Sequence, residues 1–366
     1  MNFPAKSSFL KIADSILGKA LVKIIPPPSR TARCSSVDSI LVIRPGGIGD
    51  ALLLAPALNA IKERFPAASI TILAERRNAG AFKLVPSITR TFLYDNPAEL
   101  LCVLRSRYDI VIDSEQWHRL SAVIARFIPA DMKIGYETNE RGRQFTHRVK
   151  YSHDDYEAIS FLNLLGPIGI FAEFDPLLPF LTLPVGFNRE ADNFLAGLNR
   201  PFITVFPGAS IPERRWGVSS FRNLVMRLAD QGVATVVVGA GQDRISGDKI
   251  ISGSCGVNLA GKTTLAGTAS VISSSALLVS GDSGVLHLGA GLGVPTVSIF
   301  GPGISKKWAP RGHKHTVLEK NILCSPCTRY GYTPRCSYNI RCLAEITPND
   351  VYAAVIESLH SDRYQK

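Results

Sequence analysis

The chain has 366 residues, of which 46% are apolar and 19% charged; this excludes a low-complexity protein, and the length points to more than one hydrophobic core. No run of about 18 uninterrupted apolar residues occurs, which argues against a transmembrane helix. The formal net charge of +11 favours anionic partners, but no Lys/Arg block or basic stripe with interleaved aromatics supports nucleic acid among them.

Residues 7–25 place Phe9, Ile12, Ile16, Leu17, Ala20, Leu21 and Ile24 at helical spacing, with Lys11, Lys19 and Lys23 towards other faces, before Pro26-Pro27-Pro28 stops the helix. Such a basic amphipathic leader (1–38) suits an anionic membrane surface; a helix packed on the body, or a disordered leader, accounts for it equally well. The segment lacks a small-residue cleavage site after a long uncharged core, which argues against a secretory signal. Seven cysteines in such a chain point to a reducing compartment.

The body opens with 39–44, a buried-strand pattern, then Pro45-Gly46-Gly47-Ile48-Gly49-Asp50, then 51–65 with helical periodicity. Strands at 69–75, 91–94 and 109–113 and helical stretches around 97–105 and 117–127 continue the alternation, which implies a parallel sheet covered on both faces. The Gly-rich turn and Glu75 invite a dinucleotide reading, but Leu52 stands where the third glycine belongs, and Asp50 sets a negative charge at the pyrophosphate position. A lone carboxylate on a small-residue loop suits a general base acting on an acceptor hydroxyl, with capping of the next helix as the plainer alternative.

A Pro-rich polar stretch, 174–200, interrupts the pattern before it restarts: strand 202–206, loop 207–216 with Ser210, Arg214 and Arg215, helix 219–230, strand 234–238, and loop 239–244 with Asp243. Arginine forks match phosphate oxygens, while surface salt bridging is the bland role for either one. Asp243 is placed to accept from ribose hydroxyls; turn chemistry alone explains the glycines around it about as well. A further apolar run ends at Ser280, followed by Gly281-Asp282-Ser283-Gly284, a short helical segment and a β-branched run at 296–300. Free N–H groups at that helix start favour phosphate, and Asp282 can accept from sugar hydroxyls. Helix capping by Asp282 or Ser283 is the simpler reading. No Asp-x-Asp pair occurs, so the usual carboxylate cradle for a divalent cation on a sugar diphosphate is missing. Positive side chains and a helix N-terminus would have to stabilise the leaving group instead. Late in the chain, Cys324 and Cys327 with Cys336 and Cys342 match a structural zinc site moderately, the second pair being wider than a usual knuckle. Free buried thiols and disulfides are the competing readings.

In this order and spacing, residues 43–58, Pro207-Gly208-Ala209-Ser210 with Arg214-Arg215-Trp216, and the run from Ser280 to His287 with Phe300-Gly301-Pro302 resemble family 9 glycosyltransferases, the ADP-heptose:lipopolysaccharide heptosyltransferases. The resemblance runs from about residue 40 to the last helix. It implies an α/β fold of the GT-B type, with two Rossmann-like parallel-sheet domains facing a central cleft. The corresponding division is an acceptor domain at 39–185, a linker at 186–200, a nucleotide-sugar donor domain at 201–347, and a helix at 348–366 placed to return to the first domain. It also implies inverting, metal-independent transfer of a heptose from ADP-L-glycero-D-manno-heptose to the lipopolysaccharide inner core, at the cytoplasmic face of the inner membrane. No cofactor is required, and many members carry a late cysteine cluster, which favours a structural role for this one. The family's base falls on Asp50; Ser210, Arg214, Asp243, Asp282, Ser283, Gly284 and His287 fall on its donor-binding positions. Arg214 replaces a family lysine, keeping the charge but altering its reach. The leader lies outside the resemblance. Nothing in these motifs reads a heptose rather than a hexose, so another nucleotide sugar or acceptor on the same fold stays open. So does a non-catalytic member that binds nucleotide or glycolipid.

Overall fold

The computed structural model describes residues 14–29, 36–184, 186, 194–329 and 332–360. Lys11 with the start of the leader, Cys34, and residues 187–193 of the expected linker lie outside them. Two units are present, Met1–Phe174 and Asp175–Lys366. In the first, strands β1 (Ser39–Arg44), β2 (Ser69–Ala74), β3 (Arg90–Leu93), β4 (Tyr108–Asp113), β5 (Ala130–Tyr136) and β6 (His147–Val149) form a sheet in the order β3-β2-β1-β4-β5-β6. In the second, β7 (Phe202–Phe206), β8 (Ala234–Val237), β9 (Val257–Asn258), β10 (Leu277–Gly281), β11 (Thr296–Phe300) and β12 (His315–Glu319) follow the order β12-β11-β10-β7-β8-β9. Every pairing is parallel. Read from its other edge, the second order is the first, with β7 in the place of β1.

This is the doubly wound order, and it reverses direction between β1 and β4 and between β7 and β10. Loops at the carboxyl ends of those strands splay apart there, which leaves a crevice for a ligand. The strands are apolar because both of their faces are covered. In the second unit Ile203, Val205, Val237, Val279 and Ile299 join one core, and Phe202, Ala234, Val236 and Val238 join another, as the two-residue period of a strand requires. The closing helix Pro348–His360 puts Val351, Ala354 and Val355 into the first of these cores.

Local chemistry accounts for two departures from the expected elements. The helix expected over 51–65 is two, Ile48–Leu53 and Ala55–Arg64. Pro56 has no N–H for the carbonyl a turn earlier, so the first helix ends and the second starts afresh. The leader forms a π-helical turn, Asp14–Gly18, running into a helix, Lys19–Ile24, and packs on the first unit. Val22 is fully buried and its carbonyl accepts from Gln144 Nε2 at 2.9 Å. Asp14 Oδ1 accepts from the N–H groups of Arg119 and Leu120, both at 2.7 Å, so it caps the helix Leu120–Phe127 from outside that segment. No helix among the described residues is long and apolar enough to cross a membrane.

Candidate active site

In the first unit the turn after β1 is shaped by Gly46, whose φ of +106° suits glycine. Gly47 is the N-cap of Ile48–Leu53 and makes no side-chain cap hydrogen bond. Asp50 stands half-buried in the first turn of that helix. A Cβ on Gly47 would lie 3.2 Å from Asp50 Oδ2, so the carboxylate leans back over the glycine loop.

Beneath that loop is a set of buried ions that sequence reasoning missed. Arg44, 1% exposed at the end of β1, donates to the Pro45 carbonyl at 2.7 Å, the Ser114 carbonyl at 2.8 Å and Glu115 Oε2 at 3.1 Å. Glu115 follows β4, and its Oε1 accepts from the N–H groups of Gln116, Trp117 and His118. Burial opposes the charge on Glu115, yet Arg44, with His118 and Arg141 beyond it, holds the carboxyl at about 2. Burial likewise works against the Arg44 cation, but Asp50, Glu115, Glu157 and Asp113 together outweigh it and raise its pKa. Arg141 and Asp113 form a second, fully buried pair at 2.5 Å, and Arg141 also donates to the Glu115 carbonyl. The loops after β1 and β4 are thereby locked together at the reversal point, with Asp50 above them.

In the second unit the loop after β7 carries Ser210, which is exposed, and Arg214, which is half-buried in a 3₁₀ turn. The loop is pinned by Trp216, whose Nε1 donates to the Ile346 carbonyl at 2.7 Å. Arg214 Nη1 lies 3.1 Å from Asp282 Oδ2, across the β7/β10 reversal. Asp282 is 6% exposed. A Cβ on Gly303 would come within 2.2 Å of the same oxygen, so only glycine lets the loop after β11 close on it. Ser283 is the N-cap of Gly284–Gly291, accepting from Leu286 N–H at 3.3 Å and bonding Ser280 Oγ at 2.9 Å. The two helix-capping candidates thus separate: Ser283 caps, whereas Asp282 is ion-paired.

His287, one turn along that helix, is 3% exposed, and burial with help from Arg214 lowers its pKa to about 4. It is neutral near pH 7, and its Nδ1 has no hydrogen-bond partner among the described residues. Asp243 closes its own turn, Oδ2 accepting from Ala240 N–H at 2.9 Å. A Cβ on Gly208, in the loop after β7, would stand 3.0 Å from its Oδ1, so Asp243 adjoins the same loop. Arg214, Asp282, Ser283, Gly284 and His287 form one cluster, Asp243 borders its β7 loop, and Asp50 belongs to the other unit.

Cys324, Cys327, Cys336 and Cys342 line a cavity of about 110 Å³ together with Glu213 and Thr333. Of the competing readings of this cluster, free thiols match and zinc finds no support: all four are free thiols, and no group of three or more His, Cys, Asp or Glu among the described residues could hold a metal ion. The sulfur of Cys336 faces its own turn, near the N–H groups of Tyr338 and Ile340. Cys342 packs in the core, its sulfur 3.1 Å from where a Cβ on Gly301 would be. Burial, added to by the neighbouring thiols, raises the pKa of both Cys327 and Cys342. The cluster instead braces the loop after β11: Ser325 Oγ donates to the Gly301 carbonyl, and the N–H groups of Cys327 and Thr328 donate to that of Pro302.

A model of glycosyltransferase family 9 (heptosyltransferase) matches residues 99–336. The chain belongs to this family. Lipooligosaccharide heptosyltransferase 2 of Haemophilus influenzae is 24% identical to this glycosyltransferase over 311 residues, covering 76% of this chain and 88% of that one. Among solved structures, the family 9 glycosyl transferase of Veillonella parvula superposes with a TM-score of 0.75 at 20% identity, covering 90% of this chain and 99% of the other. The ADP-heptose lipopolysaccharide heptosyltransferase II of Escherichia coli gives 0.72 at 23% identity, covering 88% and 98%. The fold is GT-B, with two Rossmann-like parallel-sheet domains.

Proposed function

We propose that this family 9 glycosyltransferase moves a heptose from ADP-L-glycero-D-manno-heptose to the lipopolysaccharide inner core, in one displacement that inverts the anomeric carbon and needs no metal. The observation that carries the reading is the Arg214–Asp282 pair at the β7/β10 reversal, a half-buried cation beside a helix start, where a nucleotide diphosphate binds in doubly wound sheets. The names of the relatives from Haemophilus influenzae and Escherichia coli support heptose as the sugar and lipopolysaccharide as the acceptor.

In this mechanism Asp50 takes the proton from an acceptor hydroxyl, the oxygen attacks C1 of the heptose, and the bond from C1 to the ADP oxygen breaks. Arg214 and the N–H groups at the start of Gly284–Gly291 receive the charge that develops on the leaving diphosphate. Asp243 and Asp282 accept from hydroxyls of the donor, Ser210 adds a hydroxyl on the same loop, and neutral His287 offers a ring nitrogen without carrying charge. The acceptor is then held by the first unit and the donor by the second, at the cytoplasmic face of the inner membrane.

A donor panel tests this: ADP-heptose, ADP-glucose and UDP-glucose, each with heptose-deficient lipopolysaccharide and EDTA. Release of ADP from ADP-heptose alone, undiminished by EDTA and yielding a product of opposite anomeric configuration, is the expected result. Release from another donor, or loss of activity with EDTA, contradicts the donor or the metal assignment.

A further inference from the structure

The helical segment 14–24 carries its apolar side outward. Asp14, Gly18 and Val22, spaced one turn apart, face the first unit and are buried. A Cβ on Gly18 would lie 3.0 Å from that of Arg119, so the approach there is close. On the opposite side Ile16, Leu17 and Ile24 are 65%, 57% and 76% exposed, with exposed Ala20 between them. Phe127 is also exposed, at 59%, and its chain neighbour Arg126 donates to the Pro26 carbonyl just beyond the leader helix. Exposed Lys19 and Lys23 stand one turn apart along its flank.

A surface helix normally turns its apolar stripe to the core. This one is fastened by an aspartate cap, a glycine contact, one buried valine and two bonds to leader carbonyls, and leaves Ile16, Leu17 and Ile24 in water. Large apolar groups bordered by lysines match a bilayer interface, where the former enter the headgroup–acyl boundary and the ammonium groups meet lipid phosphates. We infer that Ile16, Leu17, Ile24 and Phe127, with Lys19 and Lys23, form a docking surface for an anionic phospholipid bilayer. The inference rests on the proposed lipid-borne acceptor for its purpose, and on the orientation of the helix for its location.

Sedimentation of the full chain with vesicles tests it. The protein should pellet with phosphatidylglycerol–phosphatidylethanolamine vesicles and not with pure phosphatidylcholine. I16S/L17S/I24S should lower the partition coefficient by about tenfold or more. K19Q/K23Q should lower it by about fivefold per lysine, and added salt should mimic that change. Both variants should still transfer to a deacylated, water-soluble acceptor. Wild-type protein that stays in the supernatant, or a triple serine variant that pellets like wild type, overturns the inference. So does a triple variant whose only change is loss of self-association in light scattering, which would assign the face to a second copy. If wild type pellets but transfers to no soluble acceptor, the proposed reaction is contradicted and the docking surface stands.

Discussion

Asp282 directs its charge at Arg214 while its neighbour Ser283 caps the helix, and this division makes the donor loop testable one side chain at a time. Asp282→Asn keeps the size but removes the ion pair; a charge-assisted bond of about 1.5–3 kcal/mol predicts a fall in kcat/KM of about 10- to 100-fold. Gly303→Ala should give a similar fall by pushing the Asp282 carboxylate aside, with the fold retained by circular dichroism. His287 sets a pH dependence. The unfolded chain takes up a proton near the usual histidine pKa of about 6.5, the folded protein only near about 4. Between these values the unfolded state binds more protons, so stability falls as the pH drops from about 6.5 to 4. His315, lowered to about 4 mainly by burial, acts in the same direction. Denaturant midpoints across this range should show the decline, and a shallower one in His287→Asn; parallel curves would remove His287 from the account. Glu115→Gln should destabilise the first unit by about 3–5 kcal/mol, because it takes the ion-paired carboxylate from the buried Arg44 cation. A midpoint unchanged in denaturant would contradict the network.

At the scale of elements, the alternation of strand and helix was readable where strands were long and apolar. The expected strands at 39–44, 109–113, 202–206 and 296–300 match β1, β4, β7 and β11. β5, β6, β9 and β12 were not read. β9 has two residues and β6 three, too short to show a period, and β5 interleaves Asp131 and Lys133 with its apolar positions. Lys133 is buried there and donates to the Arg126 carbonyl at the end of Leu120–Phe127, a tertiary bond that no local pattern announces. The Asp14 cap on the same helix spans 106 residues of sequence and was equally hidden. Asp14→Ala should cost about 1 kcal/mol, which for a unit of this size lowers Tm by about 2–4 °C. A melting curve that does not move would mean the Asp14 cap contributes nothing to the first unit.

For the whole molecule, one topology occurs twice, and each copy places its distinctive loops where the strand order reverses. This is why the motifs around Asp50, Arg214 and Asp282 were legible: each lies on the loop that ends a central strand, where small residues and lone charges contrast with the apolar run before them. Arg44, Glu115 and Arg141 were not, since their partners lie 71 and 26 residues apart in sequence and meet only because β1 and β4 are neighbours. The proposed donor loop lies wholly in the second unit, so ADP at about 100 times its Kd should stabilise that unit by about 2.7 kcal/mol. Hydrogen exchange should then show protection in 207–216 and 281–287; protection confined to the first unit would reverse the assignment.

The central claim, that Asp50 is the base of a sugar transfer whose donor sits on the Arg214–Asp282 loop, is tested most directly by ADP release from ADP-heptose and heptose-deficient lipopolysaccharide, wild type against Asp50→Asn, with ADP affinity measured alongside. The account predicts a loss of about 10²- to 10⁴-fold in turnover with ADP affinity unchanged. Turnover in the variant equal to wild type would contradict it.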